Sequence, residues 1–230
     1  MNAIVIDPIP FAIDLDDLKK KLHISSGSSL ERDLEDLARE AAALAKPKAL
    51  YKVAYIDSRQ EEHVVVAGIR LTSRVLRVNL DTVTRIFPYV VTCGSEMESW
   101  AAAVGDMLYS YWADTIKEVA LRQAGAALLA HLRETYRLGK TSAMSPGSLQ
   151  DWPIQQQRPL FQLLGNVEEA IGVCLTDSLL MIPNKTVSGI RFPVEGSFES
   201  CQLCPRESCP NRRAVYEPDL YEEKYVHGVH

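Results

Sequence analysis

The chain reads as an α+β fold built on an antiparallel sheet, and three observations predict it. Strand-like runs at residues 49–56, 63–69 and 75–78 follow one another with polar turns such as Asp57-Ser58-Arg59 between them, the pattern of a meander. Two long runs of helical periodicity, residues 97–111 and 114–137, come after these strands rather than between them. Short strand-like runs at residues 172–175, 179–182 and 186–190 then close the pattern.

Each element has a local reason. Residues 15–22 form a short amphipathic stretch, and the Gly-Ser stretch at residues 25–29 is a loop. A helix is expected at residues 30–46. Ser28 and Glu31 have capping-box spacing, and Leu30, Leu34, Leu37, Ala41 and Leu44 recur at intervals of three and four. Pro47 ends it. Residues 86–92 are a mostly apolar run, expected as a buried strand that ends at Cys93-Gly94. The helix at residues 114–137 carries Ile116, Ala120, Ala124, Ala127, Leu128 and Leu132 on one side, and its alanines allow close packing. Gly139 stops it, and residues 160–164 form a short helix. The expected division is a body at residues 1–192 and an irregular appendage, rich in Cys, Pro, Glu and Tyr, at residues 193–230.

Bulk properties narrow the function classes. With 230 residues, 47% of them hydrophobic, the chain can bury a sizeable core. A formal net charge of −5 gives a nucleic-acid role no electrostatic support. No apolar run has membrane-spanning length, and the first ten residues lack the basic and apolar regions of a secretory signal. The five cysteines are an odd number, with three clustered, which does not read as a disulfide framework. A reducing cytoplasm is the expected location, with neither nucleic acid nor membrane as a partner.

The most informative stretch lies between residues 143 and 192. It reads A-M-S-P-G-S-L-Q-D-W-P from Ala143, L-F-Q-L-L-G from Leu160, I-G-V-C-L-T-D-S-L-L-M-I-P from Ile171 and K-T-V-S-G-I-R-F from Lys185. V-T-C-G-S-E at residues 91–96 precedes it as a small-residue turn. In this order the segments resemble the activation (reactivation) domain of vitamin B12-dependent methionine synthase, best over residues 86–192. The resemblance implies a twisted antiparallel sheet with flanking helices in a curved, helmet-like body. It implies an accessory protein that docks on a corrinoid protein and supports its reductive reactivation. Cob(II)alamin is reduced by an outside electron donor and trapped by methyl transfer from S-adenosylmethionine, an essentially irreversible step that pulls an uphill reduction over. Cobalamin is then expected on the partner, since this chain has no D-x-H-x-x-G attachment motif.

Carried onto this sequence, the resemblance places the S-adenosylmethionine site at Ser145, Pro146 and Gly147 and at Ser188, Gly189, Arg191 and Phe192. Proline presets φ at such a turn, and glycine admits a ligand close to the backbone. The family's R-P-A-P-G-Y pattern is altered: Ala143 stands where the carboxylate-holding Arg falls, and Ser148 replaces the Tyr. Arg191 is the candidate to supply the missing positive charge. Asp14, Asp16 and Asp17 are candidates for an acidic ligand-holding residue near the N-terminus.

Cys201, Cys204 and Cys209 form C-x2-C-x4-C, with Pro205 and Pro210 each directly after a cysteine. Thiolates so close in a short loop converge on one metal at little cost in chain entropy. Zinc or an iron–sulfur cluster wants a fourth ligand, for which Cys174 and Cys93 are the candidates, ahead of His227 and His230. Arg206, Arg212 and Arg213 would offset thiolate charge. A redox disulfide and three unligated thiols stay open as readings. Two further function classes follow: a non-enzymatic docking or assembly protein with a structural zinc tail, and an electron-transfer adaptor with an iron–sulfur tail. Elsewhere, Cys93 reads as a small buried residue or a pocket residue, His131 as a packed histidine, and Glu96 and Glu98 as helix-dipole acids.

Overall fold

The computed structural model describes residues 2–194, 198–209 and 211–227. In chain order its strands are β1 (Ile4–Ile6), β2 (Lys48–Tyr51), β3 (Ala54–Arg59), β4 (His63–Val66), β5 (Ile69–Thr72), β6 (Arg85–Thr92), β7 (Thr141–Met144), β8 (Cys174–Leu175), β9 (Met181–Ile182) and β10 (Thr186–Pro193). Its helices are α1 (Leu15–Leu22), α2 (Ser29–Leu44), α3 (Arg74–Asn79), α4 (Ser95–Ala103), α5 (Met107–Tyr136), α6 (Gln157–Leu164) and α7 (Val167–Ile171).

The sheet is antiparallel and grows outward from β6. One edge of β6 pairs with β2 and β3, the other with β10, and β10 in turn pairs with β7. The sequence expectation of one strand at residues 49–56 is corrected to two, and Pro88 supplies the reason. The pairs Tyr51↔Tyr89 and Ala54↔Ile86 keep one register, with Pro88 between them. Lys52 N–H still donates to the Pro88 carbonyl at 3.0 Å, but Pro88 has no N–H to return. A β-bulge between Ile56 and Ser58 then bends β3 away, and the β3–β4–β5 arm curls the sheet.

Two further expectations are corrected here. Residues 63–69 are not a single strand. They turn at Ala67-Gly68, where φ is +47° and +77°, the two-residue geometry whose twist matches a hairpin. Residues 75–78, V-L-R-V, are helical in α3 despite two β-branched side chains. Ser73 caps that helix by accepting the Leu76 N–H, and Asp151 accepts the Val75 N–H at 2.9 Å and the Arg74 N–H at 3.2 Å. The two long helical patterns also divide earlier than expected, at residues 104–106, with Asp106 capping α5 through Leu108 and Tyr109.

Alternation along β6 and β10 separates two cores. Val90, Ile190 and Phe192 face the larger one, filled by α3, α6, α7 and the β3–β5 arm. Phe87, Tyr89 and Val91 face α5 across Ala124, Leu128 and Leu132. A third cluster joins α1, α2, α4 and the first turns of α5 around Trp112, with Tyr109 stacked on it at 5.0 Å. The C-terminal residues belong to the first core: Phe198 and Tyr225 are buried in it, and the Tyr225 hydroxyl donates to Asn79 at 3.2 Å. Among the described residues, no helix is long and apolar enough to cross a membrane.

Cys93 sits fully buried in the third cluster. Burial pushes its thiol up to about 12, with Lys117 pulling the other way. Because the folded value lies above the ordinary value of 9.0, the contribution to stability is whole below pH 9 and fades as pH rises toward 12. Iodoacetamide at pH 8 should therefore leave Cys93 unmodified in the native protein and label it in denaturant. Rapid native labelling at this position, read by mass spectrometry, would contradict its burial.

Candidate functional site

A cleft of about 470 Å³ opens where α5 crosses β6 and β10. Tyr89, Val91, Val187 and Arg191 form its floor, and Leu121, Gly125 and Ala126 of α5 form its wall. The wall stays open at Gly125, where a Cβ would meet no atom within 4 Å. Arg122, Asn211 and Arg213 stand on its rim.

The register of β7 against β10 decides where the sequence-predicted residues fall. Arg191 pairs directly with Ala143, so the two side chains share one face of the sheet. Arg191 thus places a positive charge one strand away from Ala143, on the same face. The Arg191 guanidinium donates from Nη1 to Thr141 Oγ1 at 3.0 Å, while its Nε is buried and finds no partner among the described residues. Burial is the chief cause lowering its proton affinity; Tyr89 opposes that, and Arg213 reinforces it.

Gly189 is where the two predicted segments meet. A Cβ there would lie 2.5 Å from the Met144 carbonyl, 2.8 Å from Ser145 Oγ and 3.0 Å from the Tyr89 hydroxyl. The first of these is backbone, which cannot swing aside. Gly189→Ala should therefore push β7 off β10, at a cost of about 1–3 kcal/mol. A denaturation midpoint equal to wild type would show that β7 yields freely.

The other predicted residues lie elsewhere. Ser188 and Phe192 are both fully buried, and by strand alternation they point to the opposite face of β10. Pro146 is buried and Gly147 has φ +83° in a turn closed by the Gly147 N–H to the Trp152 carbonyl at 2.7 Å. Ser148, Leu149 and Asp151, just beyond it, line a second hollow of about 570 Å³, whose other walls include Val75, Cys204 and Tyr221. Since Leu149 and Val75 belong to the first core, this hollow lies on the other side of the sheet from Arg191. Asp151 there is spent on capping α3, and burial together with Asp151 holds the Tyr221 phenol above its ordinary range.

The cysteine expectation meets a different arrangement. Among the described residues, no three His, Cys, Asp or Glu side chains come together to hold a metal ion. Cys201, Cys204 and Cys209 are half-buried free thiols, Cys174 lies in β8, and Cys93 is walled into the third cluster. Pro210 and His230 lie outside the described residues. What organises the loop is Arg212, which donates to the carbonyls of Cys201, Ala214 and Cys204, each at 3.1 Å, and to that of Arg206. The Arg212 guanidinium thus ties the backbone of the cysteine loop together through its carbonyl oxygens.

Asp14, Asp16 and Asp17 are likewise committed elsewhere. Asp14 caps α1, Asp16 pairs with Lys19 at 3.0 Å, and Asp17 pairs with Lys21 at 2.7 Å. His131 donates to or accepts from the Tyr51 hydroxyl at 3.0 Å and packs on its ring, outside the cleft. Reading the sequence missed Asn211 and Arg213 as cleft residues, because only a long-range fold-back brings them there.

The curled antiparallel sheet with its flanking helices is a fold also seen among solved structures. One solved structure that shares it is the MetH reactivation domain bound to AdoHcy. The likeness has a TM-score of 0.62 at 14% sequence identity and covers 87% of this chain and 81% of that one. At that identity it is a likeness of fold. No protein-family model and no curated protein sequence matches the chain.

Proposed function

We propose that this protein binds an S-adenosyl amino-acid ligand in the cleft under α5 and docks on a cobalamin-binding protein to support its reductive reactivation. The observation that carries the reading is Arg191 directly across from Ala143, on the cleft side of a sheet shaped like one that holds AdoHcy. Arginine grips a carboxylate through two parallel N–H donors, and the Arg191 Nε has no partner among the described residues. Gly125 leaves the wall without a side chain, so a flat adenosyl group can lie close to backbone there. The Tyr89 hydroxyl stands beside Gly189 as a polar contact. S-adenosylmethionine would supply the methyl group, and the cobalamin would be carried by the partner.

Calorimetric titration with S-adenosylhomocysteine tests the ligand half. Binding by wild type and about tenfold or greater loss in Arg191→Ala is expected, since charge-assisted hydrogen bonds contribute about 1.5–3 kcal/mol. Absence of binding by wild type removes the reading. Capture on the immobilised full chain from its native extract, scored for bound corrinoid by absorbance, tests the docking half.

A further inference from the structure

The cleft carries more positive charge than its neighbours balance. Arg122, Arg191 and Arg213 all line it. Arg122 is matched by Glu118 at 2.5 Å and Arg213 by Glu199 at 3.0 Å. Arg191 has no carboxylate partner among the described residues; its recorded contact is the neutral hydroxyl of Thr141. Glu199 acts on Arg191 only through space, so this cation withdrawn from water is incompletely compensated, and a ligand's negative charge would complete it. Arg213 lies near enough to oppose charge on Arg191, and it pairs with Glu199, whose side chain is 32% exposed although the paired Oε2 is buried.

The position of Arg213 is itself built. Arg212, one residue earlier, is fixed by four backbone carbonyls, and the Arg213 N–H is directed at Cys201 Sγ at 3.5 Å. The C-terminal loop therefore presents Arg213 to the cleft from a held backbone rather than from a free tail. Asn211 beside it reaches Arg122 at 3.3 Å and closes the same rim.

We propose that the cleft is an oxyanion site completed by the C-terminal loop, in which Arg191 from the sheet and Arg213 from the loop clamp one carboxylate or phosphate group, with Glu199 as the displaceable stand-in. This rests on the cleft reading above but adds a residue and a ligand chemistry to it. Arg213 then sets specificity for an anionic end on the ligand, and the loop is part of the site.

Calorimetry on the full chain at low salt distinguishes the outcomes, with S-adenosylhomocysteine, 5′-methylthioadenosine and inorganic phosphate as probes. The second probe lacks the carboxylate; the third is an oxyanion without the nucleoside. For a carboxylate ligand, Arg213→Ala and Arg191→Ala each weaken S-adenosylhomocysteine about tenfold or more and leave 5′-methylthioadenosine unchanged. For a phosphate ligand, both variants weaken inorganic phosphate while S-adenosylhomocysteine fails to bind wild type; the clamp then stands and the S-adenosyl reading falls. Glu199→Gln is expected to tighten the oxyanion that binds, which loss of a merely structural contact would not do. The proposal is overturned if Arg213→Ala binds every probe as wild type does, or if wild type binds neither oxyanion. Melting curves of each variant confirm that the comparison is between folded proteins.

Discussion

Replacing Lys117 by alanine is expected to lower the melting temperature by roughly 6–12 °C. Lys117 is a buried lysine on α5, its side chain only 4% exposed. Its ammonium donates to Glu98 Oε2 at 3.1 Å and to Asn184 Oδ1 at 2.9 Å, with Asp114 at 3.8 Å. One group thus ties α5 to α4 and to the chain entering β10. Removing it leaves Glu98, itself mostly buried, without its cation, and breaking such a pair costs about 3 kcal/mol or more. For a chain of this size each kcal/mol moves the midpoint by about 2–4 °C. Lys117→Met separates the two contributions. It keeps the apolar stem and loses the charge, so a shift as large as alanine's assigns the cost to the stranded carboxylate. A change under about 2 °C in the alanine variant, read by calorimetry, would show that the lysine holds nothing together.

The second large effect is expected at Trp152. Its side chain is fully buried in the first core, and its carbonyl receives the Gly147 N–H that closes the Pro-Gly turn. Trp152→Ala empties a tryptophan-sized volume, at about 3–5 kcal/mol. The indole N–H is buried and finds no partner among the described residues. Trp152→Phe deletes that donor while keeping most of the apolar surface, so it should cost much less. Urea midpoints decide the matter: equal losses in the two variants would mean that ring volume is not what supports the turn.

How much of this was legible in the sequence depended on how local the signal was. The second helix announced itself through Ser28, which accepts the Glu31 N–H at 3.3 Å as its spacing implied. The Glu31 carboxylate, however, turns to the Gly27 N–H at 2.5 Å and to Lys19, so half of the box reaches one residue further back. The helix at residues 74–79 was illegible because its stabilising partner, Asp151, lies more than seventy positions away. Local β-branching favoured a strand, and a distant carboxylate on the helix N-terminus overruled it. The site divides the same way. Motif order singled out the Pro146 turn, Gly189 and Arg191, but motif order carries no information about faces. Only the β7–β10 register shows that Arg191 stands over Ala143 while Ser188 and Phe192 look inward. Arg213 was read as a companion to thiolates, and the fold spends it on the cleft instead.

The strand pairing described for β6 also governs how the molecule comes into being. β10 lies against β6 in the pairs Thr186↔Thr92 through Arg191↔Phe87, partners some hundred residues apart along the chain. Closing so long a loop is entropically expensive before any contact rewards it, which slows the search. During synthesis β6 emerges with one edge bare, and nothing from its own neighbourhood can cover the side that β10 will occupy. The floor under α5 is therefore a late event. Nascent chains halted before residue 186 should expose a hydrophobic strand edge and call on chaperones, whereas the helices around Trp112 can already have settled.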